Sequence, residues 1–117
     1  MTPKHVSGLE RARALLGEAE YSLHLISPPY AACHAGVGYY LALINLLRAE
    51  FPDKPFTFTV CCGRDAAIAH DALRLGMKSI VCEAAPPMLA KLQQIAAACG
   101  AEVLGEYPLE AMESNLS

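Results

Sequence analysis

A parallel α/β fold is what this sequence predicts, and two observations predict it. Short runs rich in Val, Ile, Phe and Thr alternate with longer stretches whose apolar residues recur at helical spacing. Each run closes on Pro-Pro, on glycine or on a charged turn, so strand and helix follow one another along the chain. That alternation implies right-handed crossovers and a parallel sheet.

The first helix is expected within residues 1–19. Ser7 and Glu10 have the spacing of a capping box, and Leu9, Ala12, Leu15 and Leu16 follow at helical intervals to about Glu18. Residues 21–27, YSLHLIS, form a short apolar run stopped by Pro28-Pro29 and are expected as the first strand. The stretch to Phe51 holds no internal proline and is expected as the second helix. Gly36 and Gly38 are costly inside an exposed helix, so they either permit close packing or mark a helix that begins only after them.

Residues 55–62, PFTFTVCC, are β-branched and aromatic and are expected as the second strand. Period-two alternation places Phe56, Phe58, Val60 and Cys62 on one face and Thr57, Thr59 and Cys61 on the other. A third helix follows with Ile68, Ala69, Ala72 and Leu73 as its apolar stripe and Gly76 as its stop. KSIVCEA is the third expected strand. The fourth helix has Pro87 in its first turn and a stripe of Met88, Leu92, Ile95 and Cys99, and AEVLGEY is the fourth strand. In residues 108–117, Leu109, Met112 and Leu116 share one possible helical face, as a cap on the body or a contact with another chain. The expected architecture is one domain with a small four-stranded parallel sheet and helices on both faces. It would be a flavodoxin-like or Rossmann-like three-layer sandwich.

Composition narrows the functional classes. The chain has 117 residues, 54% hydrophobic and 18% charged, with a net charge of −3. That balance excludes disorder, and the absence of a basic run excludes the electrostatic footprint of nucleic-acid binding. So few charges suggest apolar surface covered by a partner, and a homo-oligomer is the expected state. Residues 30–47 are long enough to span a bilayer, but His34, Asn45 and two glycines favour a helix buried in an α/β protein over a membrane segment. The five cysteines include no C-x-x-C, and no secretory signal precedes them. A disulfide framework and a metal site are therefore not expected, and a reducing cytoplasm is. No phosphate-binding motif, and no cofactor, is indicated.

Ligands of open parallel sheets bind at the carboxyl ends of the strands, where strand order reverses. The junction TVCCGRDAA is the most chemical of these ends. Gly63 allows a tight turn, and the first N–H groups of the following helix, with Arg64, favour a small anionic ligand. A thiol there would have its thiolate stabilised, and Cys62, nearest the turn, is the candidate nucleophile with His34 as its base, although His34 reads more readily as a histidine hydrogen-bonded at a helix terminus. Tyr30, Gly63, Arg64, Asp65 and Glu83 are the candidate ligand-binding residues. The favoured reading of Cys61 and Cys62 is nonetheless as small hydrophobes ending a core strand, and Asp65 reads as the cap of its own helix. Glu83 would face Arg64 as a structural ion pair more readily than as an acid–base device. His24, between Leu23 and Leu25 in the first strand, reads as a satisfied core or helix-facing side chain, and His70, with Asp71 and Arg74, as solvated helix surface.

The segment VCCGRDAAIAHDALRLGMKSIV resembles the strand, cysteine, short loop and alanine-rich helix of the rhodanese-like sulfurtransferases. Its loop is shorter than the cradle of that family, and no G-H-x-x-G-A segment lies upstream. The resemblance implies a sulfur-transfer site at Cys61 or Cys62. It stands as the alternative to the principal expectation, a non-catalytic binding or assembly module that holds a small anion at the strand ends.

Overall fold

The computed structural model describes residues 3–108. Its elements run β1 (Lys4–His5), α1 (Leu9–Glu18), β2 (Leu23–Ile26), α2 (Ala31–Ala35), α3 (Val37–Glu50), β3 (Phe56–Cys61), α4 (Ala66–Arg74), β4 (Ser79–Val81), α5 (Pro86–Ala98) and β5 (Glu102–Leu104). All neighbouring strands are parallel, in the spatial order β1-β2-β3-β4-β5. The α/β class with a parallel sheet flanked by helices is thus the class read from the sequence.

The sheet has five strands rather than four. The added strand is a two-residue edge, too short to leave a pattern, that sets Lys4 beside Leu25 and His5 beside Ile26. It also displaces the expected capping box. The ladder continues through the Val6 N–H, which donates to the Ile26 carbonyl at 2.8 Å. Ser7 is therefore still leaving the strand, and the N-cap of α1 is Gly8, with no side-chain cap.

The long second helix is broken in two. Gly36 stands between α2 and α3 at φ 92°, a conformation that glycine adopts without a Cβ penalty. No described helix is long and apolar enough to cross a membrane.

Helix α4 buries Ala69, Ala72 and Leu73, as its stripe predicts. Helix α5 is turned from its expected stripe. Leu92 and Ala96 are buried, Leu89 and Ile95 pack against them, and Met88 and Cys99 are exposed. Leu89 lies so close over Gly105 that a Cβ there would meet its Cδ2 at 2.7 Å, and this contact rolls Met88 outward.

Register assigns the two faces of the sheet. Leu25 pairs with Phe58, Val60 with Ile80, and Ile80 with Val103. These residues form one cluster with Leu16 of α1, Leu47 of α3, Leu73 of α4 and Leu92 of α5. Among the described residues, the buried side chains of the four long helices belong to this face. Sequential strand order explains the distribution, because right-handed crossovers between successive neighbours place their helices on the same side. The opposite face carries a smaller apolar cluster of Ile26, Cys61 and Val81 with Tyr107 and Leu104. The expected tail contacts of Leu109, Met112 and Leu116 lie outside the described residues.

Candidate functional site at the strand carboxyl ends

Strand order β1 to β5 never reverses, so the sheet has no topological switch point. The carboxyl ends instead close on themselves, and each expected site residue can be placed within that closure.

Ser27 follows β2 and is fully buried. Its Oγ accepts from the Cys61 N–H at 2.9 Å and donates to the Pro28 carbonyl at 3.1 Å. The Ser27 carbonyl accepts from the Tyr107 hydroxyl at 2.6 Å. Tyr30 comes next, at φ 60°, a left-handed conformation uncommon for a residue with a side chain. Its ring lies on Gly63, where a Cβ would overlap the ring carbons. Gly63 is itself left-handed at φ 61°, so this position requires glycine twice over, for its backbone and for the aromatic ring on it.

The two adjacent cysteines point to opposite faces, as period two dictates. Cys62 joins the helix-side cluster and Cys61 joins Ile26, Val81 and Tyr107. Cys62 is fully buried, and burial pushes its thiol up to about 12, with the neighbouring Cys82, Cys61, Cys33 and Asp65 adding to the shift. A thiol so placed stays protonated at neutral pH, and it is the thiolate that attacks. Cys33, on α2, is exposed and its Sγ–H donates to the Cys62 carbonyl at 3.3 Å. Burial of its sulfur and the charge of Asp65 raise this thiol too.

Asp65 caps α4. Its Oδ1 accepts from the N–H groups of Ala67 at 3.0 Å and Ile68 at 3.1 Å. The positive end of α4 is therefore occupied by the chain's own carboxylate. Arg64 is exposed, and among the described residues it forms no ion pair with Glu83; the Glu83 backbone N–H instead donates to the Gly63 carbonyl at 2.7 Å. His34 is exposed in the last turn of α2. The structure thus brings Tyr30, Cys33, Cys62, Gly63 and Glu83 together, with Asp65 turned into its own helix and Arg64 and His34 facing outward. No group of described residues has the make-up of a metal site.

A polar arrangement that sequence reasoning missed runs across the second face. His24 Nε2 lies 2.7 Å from Thr59 Oγ1, Thr59 Oγ1 lies 2.7 Å from Ser79 Oγ, and Ser79 Oγ donates to Glu102 Oε1 at 3.2 Å. Four strands are cross-linked by this chain, whose two central hydroxyls are buried. Burial lowers the His24 pKa, opposed by the charge of Glu102. His24 alone was legible as a satisfied side chain, but it does not face the long helices: it shares the opposite face with Ile26. The signal for the rest was the run of polar residues at alternate strand positions, which needs the register to become a line.

No protein-family model matches this chain. No solved structure matches it. Among curated proteins it is similar to one from Rickettsia prowazekii (strain Madrid E), named Uncharacterized protein RP547. The two are 34% identical over 76 residues, a match covering 65% of this chain and 72% of the other.

Proposed function

Because the chain belongs to the family of the Rickettsia protein RP547, whose name assigns no activity, we propose its function from geometry: a small non-catalytic binding and assembly domain. One observation carries this. At the carboxyl ends of the strands, the groups with chemistry engage one another: Tyr107 bonds Ser27, Cys33 bonds Cys62, Tyr30 lies on Gly63 and Asp65 caps α4.

Beside the exposed Arg64 and His34, this end of the molecule also presents apolar surface. Tyr30, Tyr39 and Met88 are 40%, 49% and 41% exposed; Tyr30 and Met88 stand at the starts of the helices that follow β2 and β4, and Tyr39 in the first turn of α3, beyond the Gly36 break. A second copy of the chain would cover them. The anion reading of this junction keeps Arg64 as an exposed cation but loses the helix end to Asp65. The thiol-transfer alternative loses support, because Cys62 is buried and held protonated.

Size-exclusion chromatography with light scattering, together with native mass spectrometry, tests the proposal. The expected result is a mass above one protomer that returns to one protomer in Tyr39→Glu and Met88→Glu. A strict monomer at every concentration, carrying no retained ligand, overturns it.

A further inference from the structure

A second place with the character of a site lies at the other end of the sheet. A cleft of about 130 Å3 opens between α3, the start of β3 and the turn from α4 into β4. Leu41, Ile44, Phe56, Phe58 and Met77 make its apolar lining. Asn45, Arg48, Thr57 and Lys78 supply its polar groups. A wider, open cleft of about 400 Å3 adjoins it, sharing Arg48 and Phe56 and adding Lys54.

Charge separates this region from the rest of the molecule. The chain has 9 Lys and Arg against 12 Asp and Glu. Three of those cations line the two adjoining clefts, and no Asp or Glu does. The three are also fixed in place without being neutralised. Lys54 Nζ donates to the carbonyls of Leu16 at 2.7 Å and Gly17 at 3.0 Å, and Lys78 Nζ donates to the Cys99 carbonyl at 2.9 Å. An ammonium has three donors, so Lys54 keeps one and Lys78 keeps two. The Arg48 guanidinium stands 5.7 Å from the centroid of the Phe56 ring, a cation–π contact that orients it, and it forms no ion pair among the described residues. Arginine's planar fork matches a carboxylate or a phosphate.

We propose that this cleft binds a small organic anion, an aromatic or branched aliphatic carboxylate or phosphate monoester. The apolar body enters the cleft and the charged head meets Arg48 and Lys78. The size is right for one ring, since an apolar cavity of ~150 Å3 accommodates benzene. The site shares no residue with the proposed assembly surface, so either can fail without the other.

Titration followed by amide chemical shifts tests it, with benzoate and phenyl phosphate as the two head groups. Benzyl alcohol, benzylamine and inorganic phosphate are the controls. The expected result is saturable shifts at Ile44, Phe58 and Met77 with one or both anions. The controls should bind at least tenfold more weakly, and Arg48→Met, checked for folding, should weaken the anion about tenfold. Lys78→Gln serves the same purpose if Arg48→Met fails to fold. Neither anion shifting those amides overturns the proposal. So does equal binding by any control, or unchanged affinity in the folded variant.

Discussion

The hydroxyl of Tyr107 donates to the carbonyl oxygen of Ser27 at 2.6 Å, joining the segment after β5 to the end of β2 across two intervening strands. Ring and bond together cover Cys61, Val81 and Ile26 on the face opposite the long helices. Both partners are buried, so the bond matters by what its loss leaves behind. Tyr107→Phe keeps the ring and strips the Ser27 carbonyl of its donor, an expected cost of about 1–2 kcal/mol. Tyr107→Ala also uncovers the apolar cluster and is expected to cost about 3–5 kcal/mol. Urea unfolding of both variants measures the difference. Equal midpoints for the Phe variant and the native chain would remove the bond from the account.

The same region contributes to the alkaline limit of stability, alongside Cys82, Cys33 and Tyr40, whose pKa values burial also raises. Burial pushes both the Cys62 thiol and the Tyr107 hydroxyl up to about 12. The unfolded chain releases these protons near pH 8.5 and 10. Between those values and 12 the native state holds more protons than the unfolded state, so stability falls as pH rises. Stability from both groups is complete below about pH 8.5. His24 and His5 act at the other limit, since burial lowers both and the unfolded chain takes up their protons first as pH falls below about 6.5. A plateau from about pH 6.5 to 8.5 is expected in melting temperature against pH. Cys62→Ala should flatten the first part of the alkaline decline and Tyr107→Phe the later part. A decline unchanged in both variants would assign it elsewhere.

The alternation of β3 was legible because its residues obey period two: Phe58, Val60 and Cys62 on one face, Thr59 and Cys61 on the other. Asp65 was legible as a cap because its oxygen needs only the amides two and three residues ahead. Relationships across the sheet were not. Strand order decides that Tyr107 reaches Ser27 and that His24, Thr59, Ser79 and Glu102 form one line, and nothing local encodes strand order. For the same reason Arg48, Lys54 and Lys78 look like scattered surface charges until the fold gathers them around two clefts. The turned stripe of α5 has a similar origin: Met88 and Leu89 are equally apolar, and the close approach of Gly105 selects Leu89.

Thiol labelling separates the five cysteines by position. Cys33 and Cys99 are exposed, whereas Cys61, Cys62 and Cys82 are buried. Iodoacetamide at neutral pH is expected to modify only Cys33 and Cys99 in the native protein. Cys33 should lag, since its Sγ is engaged with the Cys62 carbonyl and its thiol is raised by burial and by Asp65. The other three should react only after denaturation. Rapid native labelling of Cys62, read by peptide mass spectrometry, would return the junction to the class of activated thiols.

Gly63 and Tyr30 give the sharpest test of how the carboxyl end is held. Gly63→Ala meets two obstacles: a left-handed backbone at φ 61°, and a Cβ driven into the Tyr30 ring. The first costs roughly 1–2 kcal/mol for a residue with a Cβ, and overpacking adds roughly 1–3 kcal/mol. Tyr30→Gly removes the ring and relieves the left-handed strain at its own position, φ 60°, so its net effect on stability is expected to be small. Combining them separates the terms. Without the ring, Gly63→Ala should cost only the backbone part, leaving a coupling of roughly 1–3 kcal/mol between the two sites. Additive costs in the double variant would mean that the ring moves aside freely. Tyr30 would then be a surface residue whose ring does not constrain position 63.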